Sequence, residues 1–346
     1  MKANAIPNGA LTALITPFTE RGDIDWKGFL QLIEFQAHEG ISGIVPVGTT
    51  GESPTLNEHE HDFVNSRTID AKSGLFILNG CGSNCTEEAL HYVERVSGFG
   101  GQAVLLVDSY YNGPSSLELR REYYAPIAKE FPDILIVPYI IPGRTGCKLL
   151  PEDLGALSRE FPNICTVKEA TGDLGNMRAI RRMTSPSFQI FSGDDDKTLG
   201  MMTDPNVKAC GVISVISNIA PFAVQKMCQA VFSGNLSGAD ETKAKLDPLF
   251  KVVTVLADRG QHGLSIIDKF RNPLPIKTMM NGLGMPAGPC RQPLGKMSLL
   301  GVRMVHDALS SVWKDSPEVL LPIEEFFNVN IGARLADEEI WRALAY

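Results

Sequence analysis

The segment CTVKEATGD, residues 165–173, places one lysine at the end of a short apolar run and a carboxylate directly after it. A lysine at the end of a buried strand loses hydration, which disfavours its charged form and lowers its pKa. A neutral amine attacks a ketone or an aldehyde and forms a Schiff base. Lys168 is therefore a candidate covalent catalyst, and the alternative is a structural lysine that pairs with Glu169 or with a neighbouring strand.

Two further side chains near another apolar run suit a reaction at a lysine amine. Tyr139 lies at the end of the run 134–140, and its phenol can relay protons while a carbinolamine forms and loses water. Arg144, in PGRTG (142–146), carries a forked donor that matches a carboxylate. Each residue alone has an ordinary alternative. Tyr139 can be a structural aromatic residue at a strand end, and Arg144 can be a solvated charge in a loop. Together with Lys168 they favour an activated nucleophile.

The segment GTTGES, residues 48–53, offers two threonine hydroxyls and a set of turn amides. It lacks the lysine and the glycine spacing of nucleotide-binding loops. Its hydroxyls and amides can hold a carboxylate or a keto acid, and Thr50 is the hydroxyl that we expect to join the proton relay with Tyr139. The alternative is a plain loop.

Metal chemistry is not expected from the remaining polar residues. His59 and His61 lie in a polar segment that is predicted to be a solvated helix face, and Cys81 and Cys85 have no second pair at zinc spacing. The SGDD segment (192–195) carries two carboxylates, but it is predicted to cap the helix that follows.

Short apolar runs supply the strands that must position these side chains. They are rich in β-branched residues and apolar on both faces, as buried parallel strands are, and they cover residues 10–18, 43–48, 75–80, 103–107, 134–140, 164–168, 188–193 and 209–215. Segments with helical periodicity separate them, among them 26–40, 116–131 and 151–161. The alternation predicts a (β/α)8 TIM barrel with its site at the C-terminal ends of the strands. A doubly wound open sheet is the alternative, but no GxGxxG follows the first strand.

The chain after the last of these runs is predicted to be mainly helical, over 220–234, 238–260 and 295–313. We therefore expect a barrel over residues 1–235 and a C-terminal helical region over 236–346 that packs on the barrel. The tail from about residue 314 mixes proline, glutamate and aromatic residues and supports no assignment.

Composition limits the class of protein. The 346 residues are 44% hydrophobic and 21% charged, which is a globular balance. A net charge of −8 argues against nucleic acid or an anionic membrane as the main partner, although a local site can still bind an anionic substrate. The seven scattered cysteines suit a reducing compartment. The sequence begins without a signal or transit pattern and has no apolar run of membrane-spanning length, so we expect a cytoplasmic protein.

An ordered set of motifs gives the chain a family resemblance. GTTGES, YYN, Tyr139 with PGRTG, VKEATGD, SGDD, GVISV and NPLPIK follow one another along the chain. Together they resemble the dihydrodipicolinate synthase family, within the N-acetylneuraminate lyase superfamily of class I pyruvate aldolases. The resemblance implies condensation of pyruvate with L-aspartate-4-semialdehyde to 4-hydroxy-tetrahydrodipicolinate, on the route to diaminopimelate and lysine. It implies no cofactor, since the lysine supplies the electron sink.

The resemblance also implies catalytic roles. Lys168 matches the lysine that forms the Schiff base with pyruvate, Tyr139 the central proton relay, and Thr50 the hydroxyl partner of that tyrosine. Tyr111 matches the tyrosine that reaches across a dimer interface into the neighbour's site. The family is usually a tetramer built from two dimers, so a homotetramer is expected.

Substrate-binding and regulatory positions match as well. Arg144 matches the arginine that recognises the carboxylate of the aldehyde substrate, and Thr49, Gly193 and Ile213 match positions around the bound keto acid. Lysine-inhibited members bind lysine at the dimer interface, and the matching positions here are Ser53, Pro54, Glu58, His61, Asn84, Glu88 and Tyr110. Glu58 replaces the histidine or tryptophan of sensitive members, so weak or absent lysine inhibition is expected, and an inhibition curve with strong feedback would overturn this expectation.

Departures from the family pattern leave alternatives open. The family usually has asparagine after the relay tyrosine, whereas Ile140 stands here, and we expect it to remove a polar group beside the site. Gly113 replaces a basic residue after YYN. A lyase of the same superfamily, acting on a 2-keto-3-deoxy sugar acid, sialic acid or 4-hydroxy-2-oxoglutarate, is therefore an alternative. A non-catalytic barrel that binds or assembles is a third, although it has no need of Lys168, Tyr139 and Arg144 together.

Overall fold

The strands of the protein are short. The structure is a computed structural model that describes residues 5–260 and 263–346. Within these ranges the strands are β1 (Gly9–Ala13), β2 (Gly43–Val45), β3 (Phe76–Ile77), β4 (Asn79–Gly80), β5 (Ala103–Val107), β6 (Leu135–Ile140), β7 (Thr166–Glu169), β8 (Gln189–Ser192), β9 (Gly211–Ser214), β10 (Thr254–Asp258) and β11 (Ile267–Arg271).

Helices separate the first nine strands, except β3 from β4, and then follow them. Those of the described residues are α1 (Trp26–His38), α2 (Glu58–Asp70), α3 (Thr86–Gly98), α4 (Ser116–Glu118), α5 (Ala125–Glu130), α6 (Pro142–Thr145), α7 (Pro151–Glu160), α8 (Leu174–Met183), α9 (Thr198–Thr203), α10 (Pro221–Phe232), α11 (Leu236–Phe250), α12 (Leu274–Leu283), α13 (Leu299–Asp315), α14 (Leu321–Phe327), α15 (Ile331–Ala336) and α16 (Glu338–Ala343). A π-helix over Leu119–Tyr124 joins α4 to α5. None of these helices is long and apolar enough to cross a bilayer.

A nine-stranded sheet has the order β3-β2-β1-β9-β8-β7-β6-β5-β4. Its two end strands, β3 and β4, flank Leu78 in one continuous segment, so the sheet closes on itself. The predicted third strand is divided because its first half pairs with β2 and its second half pairs with β5. The predicted (β/α)8 barrel with further C-terminal helices is confirmed.

The chain divides into two compact units. The first comprises residues up to Leu11, Ser42–Gly48 and Asn57–Ser214. The second comprises Thr12–Ile41, Thr49–Leu56 and Val215–Tyr346. Lys168 and Tyr139 belong to the first unit, and the hydroxyl of Thr50 belongs to the second. The domain boundary expected at residue 235 remains a prediction.

The helix predicted over 238–260 is wrong in its second half. Helix α11 ends at Phe250, and β10 then pairs antiparallel with β11, with Val255 opposite Phe270. Exposed and buried residues alternate along β10, which is the period of two that a half-buried strand requires. The β-branched run VVTV therefore leads into strand β10 instead of continuing helix α11.

The tail, for which no element was predicted, folds as a 3₁₀ turn over Pro317–Val319 and the three short helices α14 to α16, all in the second unit. The indole of Trp341 packs so closely on α12 that a Cβ atom at Gly282 would lie 2.0 Å from Cη2 of the indole. The guanidinium of Arg334 donates to the carbonyls of Asn281 and Gly282 at 2.9 and 2.8 Å, in the last turn of α12. These contacts hold the tail against the C-terminal end of α12.

Candidate active site

Lys168 and Tyr139 face each other on neighbouring strands of the first unit. Parallel pairing of β6 with β7 sets their Cα atoms opposite each other, so both side chains emerge on the same face of the sheet. The Lys168 Nζ atom lies 4.0 Å from the centroid of the Tyr139 ring. The lysine is 6% exposed and the tyrosine 5%, so the pair is shielded from bulk water.

The surroundings of Lys168 favour a neutral amine. Burial lowers the pKa of Lys168 to about 8, the carboxylates of Asp194 and Asp195 oppose this change, and the guanidinium of Arg144 adds to it. At pH 7 the neutral fraction of a lysine amine with such a pKa is about a tenth. For an ordinary lysine the neutral fraction is less than about a thousandth. The site can therefore supply a nucleophilic amine near neutral pH.

Glu169 does not pair with Lys168. Successive residues of a strand point to opposite faces, so this carboxylate lies on the side away from the lysine. Its Oε1 atom accepts hydrogen bonds from the Thr171 hydroxyl and from the Asn176 amide, the latter at 3.0 Å. The alternative of a structural Lys168–Glu169 ion pair is therefore wrong.

Ile140 lies on the same face as Glu169, because the two residues are opposite each other in the β6–β7 register. The expectation that Ile140 removes a polar group beside the site is therefore corrected, since its side chain lies on the face of the sheet opposite to that of Lys168 and Tyr139. Oε2 of Glu169 has no hydrogen-bond partner among the described residues, and burial raises the pKa of Glu169 to about 7. Isoleucine offers this carboxyl group no donor, so its protonated form is favoured.

Gly193 lies where no side chain fits. Its amide donates to the Glu169 carbonyl at 2.7 Å, which brings the loop after β8 against β7. A Cβ atom at this position would lie 2.7 Å from Cβ of Ala170 and 3.2 Å from Cε of Lys168. Glycine is therefore needed for the close approach to the lysine stem.

Gly193→Ala is expected to slow Schiff-base formation at Lys168 by about 10- to 100-fold, because a displacement of the amine by a fraction of an ångström disturbs its line of attack. Borohydride trapping of a keto acid, followed by mass spectrometry, measures this rate. Gly200→Ala is the matched control, since a Cβ atom there meets nothing within 4 Å. Equal trapping rates for Gly193→Ala and wild type would show that this contact does not position the amine.

The SGDD segment does not cap the following helix as predicted. Asp194 is the residue before a 3₁₀ turn over Asp195–Lys197, and its side chain makes no capping hydrogen bond. Asp195 instead accepts a hydrogen bond from the Ser214 hydroxyl at the end of β9. Both carboxylates act on Lys168 through their charge, which sequence patterns had not indicated.

Three other predicted residues of the first unit differ in exposure. Arg144 lies on the short helix α6 and is exposed, whereas Ile213 is buried on β9. Tyr111 is 89% exposed and has a φ angle of 78°, a left-handed conformation that a bulky residue rarely adopts. Its amide reaches the carbonyl of Thr145 at 3.4 Å, next to Arg144.

The predicted threonines belong to the second unit. Thr49 is half-buried, and Thr50 is buried with its Oγ1 atom 2.8 Å from the amide nitrogen of Asn272. Asn272 comes from NPLPIK, and sequence reasoning assigned it no role. A polar residue at the start of that motif was the only available signal, because its partner is 222 residues away in the chain.

The residues expected to bind lysine are divided between the units. Ser53 and Pro54 open a 3₁₀ turn in the second unit. In the first unit, Glu88 accepts hydrogen bonds from Ser83 and Tyr92, and Oε1 of Glu58 lies 2.9 Å from Nε2 of His91. The backbone carbonyl of Asn84 accepts a hydrogen bond from the Ser109 hydroxyl. Tyr110 is half-buried, and burial and the charge of Glu88 raise its pKa.

His61 is not on a solvated helix face. It is 2% exposed, and its ring stacks on Tyr92 with the centroids 3.8 Å apart. Burial lowers the pKa of His61 to about 3, so the ring is neutral. Across residues 5–260 and 263–346 there is no cluster of three or more His, Cys, Asp or Glu residues that could hold a metal ion.

Comparison with known proteins gives consistent matches. The profile of the dihydrodipicolinate synthetase family matches residues 6–312. A 4-hydroxy-tetrahydrodipicolinate synthase of Methanothrix thermoacetophila is 38% identical over 305 residues, which are 88% of this chain and 96% of that protein. Residues beyond 312, which include α14 to α16, lie outside the matched family region.

Solved structures agree with the sequence matches. The 4-hydroxy-tetrahydrodipicolinate synthase of Methylacidiphilum fumariolicum superimposes with a TM-score of 0.81 at 32% identity, covering 91% of this chain and 99% of that one. A monomeric dihydrodipicolinate synthase variant superimposes with a TM-score of 0.81 at 33% identity, covering 90% of this chain and 98% of that one.

Proposed function

Because the chain belongs to the dihydrodipicolinate synthetase family, we propose that it condenses pyruvate with L-aspartate-4-semialdehyde to give 4-hydroxy-tetrahydrodipicolinate. The observation that carries this proposal is the buried Lys168, whose pKa is lowered to about 8, with its amine against the Tyr139 ring. A lyase of the class I aldolase type requires such an amine.

The first half of the reaction needs one amine and a proton carrier. The neutral Nζ of Lys168 attacks C2 of pyruvate, and the oxygen of the resulting carbinolamine leaves as water to give a protonated Schiff base. Tyr139 delivers the proton that lets water leave, and Thr50 is its hydroxyl partner in this relay. The cationic nitrogen then accepts electrons when a methyl proton is lost, so the enamine forms without any cofactor.

The second half joins the enamine carbon to the aldehyde carbon of the semialdehyde, whose oxygen takes up a proton and becomes the hydroxyl group. The amino group of the semialdehyde then attacks the Schiff-base carbon and displaces Nζ of Lys168, which closes the ring and frees the lysine. Arg144, exposed on α6, is suited to hold the carboxylate of this substrate with its forked donors. Thr49, Gly193 and Ile213 surround the keto acid in the proposal. No metal takes part, because the lysine alone supplies the electron sink.

The proposed assembly is a homotetramer built from two dimers, in the cytoplasm. The exposed Tyr111, held at a φ of 78°, supports a role outside its own subunit, since an unfavourable backbone conformation is retained where it serves function. In this arrangement its phenol enters the site of the neighbouring subunit and joins the proton relay there.

Reductive trapping tests the proposed function. Incubation with pyruvate and borohydride is expected to leave a pyruvyl adduct on Lys168. The trapping rate is expected to rise as the pH increases through about 8, because the fraction of neutral, nucleophilic amine increases until the pH exceeds the pKa. Turnover of aspartate-4-semialdehyde is measured in parallel. An adduct without turnover would favour the lyase alternative, and no adduct at pH 9 would contradict the Schiff-base mechanism itself.

A further inference from the structure

We propose that Asn272 is a positioning residue that orients the hydroxyl of Thr50 for proton transfer. This inference rests on the proposed function, in which Thr50 belongs to the proton relay. Asn272 has no part in the chemical steps described above, and it acts only through the threonine.

The hydrogen bond between these residues has one direction. The Asn272 amide nitrogen Nδ2 can only donate, so Oγ1 of Thr50 accepts at 2.8 Å. The hydroxyl has a single proton, which must then point away from Asn272. Asn272 is 7% exposed and Thr50 3%, so water does not compete freely for this bond. A hydroxyl that would otherwise rotate is thereby held with its proton available to the relay.

A buried ion pair fixes the segment that carries Asn272. Lys277, on the first turns of α12, donates to Oε1 of Glu52 at 2.7 Å, to the Thr16 carbonyl at 3.0 Å and to the Pro289 carbonyl at 2.8 Å. Each of its three protons therefore has an acceptor, which offsets the cost of burying the ammonium group.

Glu52 belongs to the same loop as Thr50 and has a φ of 58°, a left-handed conformation. Its Oε2 atom accepts from the Arg291 amide at 2.9 Å, so both carboxylate oxygens are hydrogen-bonded. NPLPIK thus contacts GTTGES at two points, Asn272 with Thr50 and Lys277 with Glu52. The ion pair places the two segments, and the amide then sets the direction of the hydroxyl.

Asn272→Asp tests this role because it keeps the shape of the side chain and replaces the N–H donor with an acceptor. An ionised carboxylate can only accept, so Thr50 must turn its proton toward residue 272, and kcat at pH 8 is expected to fall about 10- to 100-fold. A buried carboxyl group titrates above its ordinary range, and its protonated form donates as the amide does. The ratio of variant to wild-type kcat is therefore expected to rise as the pH falls.

Two variants separate orientation from stability. Asn272→Leu has no donor at any pH, and its loss of kcat is expected to show no recovery in acid. Asn281→Asp, on the helix α12 that follows Asn272, makes the same change in charge where the Asn281 amide donates to the Gly288 carbonyl at 2.9 Å. Its kcat relative to wild type is expected to stay constant. Thermal unfolding midpoints at each pH identify any loss that comes from unfolding.

The outcomes are distinguishable. Folded Asn272→Asp with wild-type kcat at pH 8, or with a loss that does not depend on pH, would overturn the positioning role. A wild-type enzyme that forms no pyruvyl adduct would overturn the proposed function instead. An adduct and turnover in wild type, with an acid-recovered loss in Asn272→Asp alone, supports both.

Discussion

Lys168→Arg is expected to lower kcat on the order of a thousandfold or more and to abolish the trapped pyruvyl adduct, because the group that forms the covalent bond is lost. The guanidinium keeps a positive charge that can lie over the Tyr139 ring, as Nζ of Lys168 does, but its pKa is too high for a neutral form at any working pH. Steady-state kinetics and mass spectrometry after borohydride reduction measure the two effects.

Lys277 provides an internal control for this experiment. It is also buried and its pKa is also lowered by burial, but its ammonium group is bonded to the Glu52 carboxylate at 2.7 Å. Peptide mapping of the wild-type adduct is therefore expected to find pyruvyl on Lys168 and none on Lys277. Activity of Lys168→Arg within tenfold of wild type would contradict the covalent mechanism.

Tyr139→Phe is expected to lower kcat by about 10²- to 10⁴-fold, which is the contribution of a positioned proton donor. The phenylalanine ring keeps the packing against Lys168, whose Nζ lies 4.0 Å from the ring centroid, so the amine keeps its place. The adduct with pyruvate is expected to form slowly and still to be trapped after long incubation. The rate of single-turnover trapping reports Schiff-base formation, and kcat reports the whole cycle. Comparing the loss in each shows whether the phenol serves later steps as well.

Tyr124→Phe is the matched control in the same unit. The Tyr124 hydroxyl is buried and donates to Oδ1 of Asp108 at 2.7 Å, and it has no role in the proposed chemistry. Its removal is expected to lower the free energy of unfolding by about 1–3 kcal/mol with little change in kcat. If Tyr139→Phe only lowers stability in the same way, the relay assigned to Tyr139 is wrong.

The barrel could be predicted because each element has a local signal. Runs of β-branched residues between helical segments indicated the strands and their order, and β5 has the predicted bounds, Ala103–Val107. Other strands are shorter than the apolar runs, as in β1, which ends at Ala13 although Ile15 is also fully buried. An apolar run indicates that residues are buried, not that they are paired in a sheet. Buried residues continue into the loops beyond the last paired residue, so the runs are longer than the strands.

The tail and the hairpin escaped prediction for a different reason. Helices α14 to α16 are 6 or 7 residues long, too short to be stable alone, and contacts such as that of Trp341 with Gly282 stabilise them. In β10 the partner strand, which begins at Ile267, decided between helix and strand. Local sequence does not contain these partners.

The sequence by itself determined which reactive side chains exist and in what order the strands carry them, because residue type and local periodicity are properties of short segments. Only the tertiary structure decided their partners. It placed Tyr139 beside Lys168, directed Glu169 to Asn176, and bonded Asn272 to a threonine 222 residues away. The pKa of Lys168 depends on burial and on charges brought together by folding, so the chemistry of the amine arises from contacts between segments that are distant in the chain.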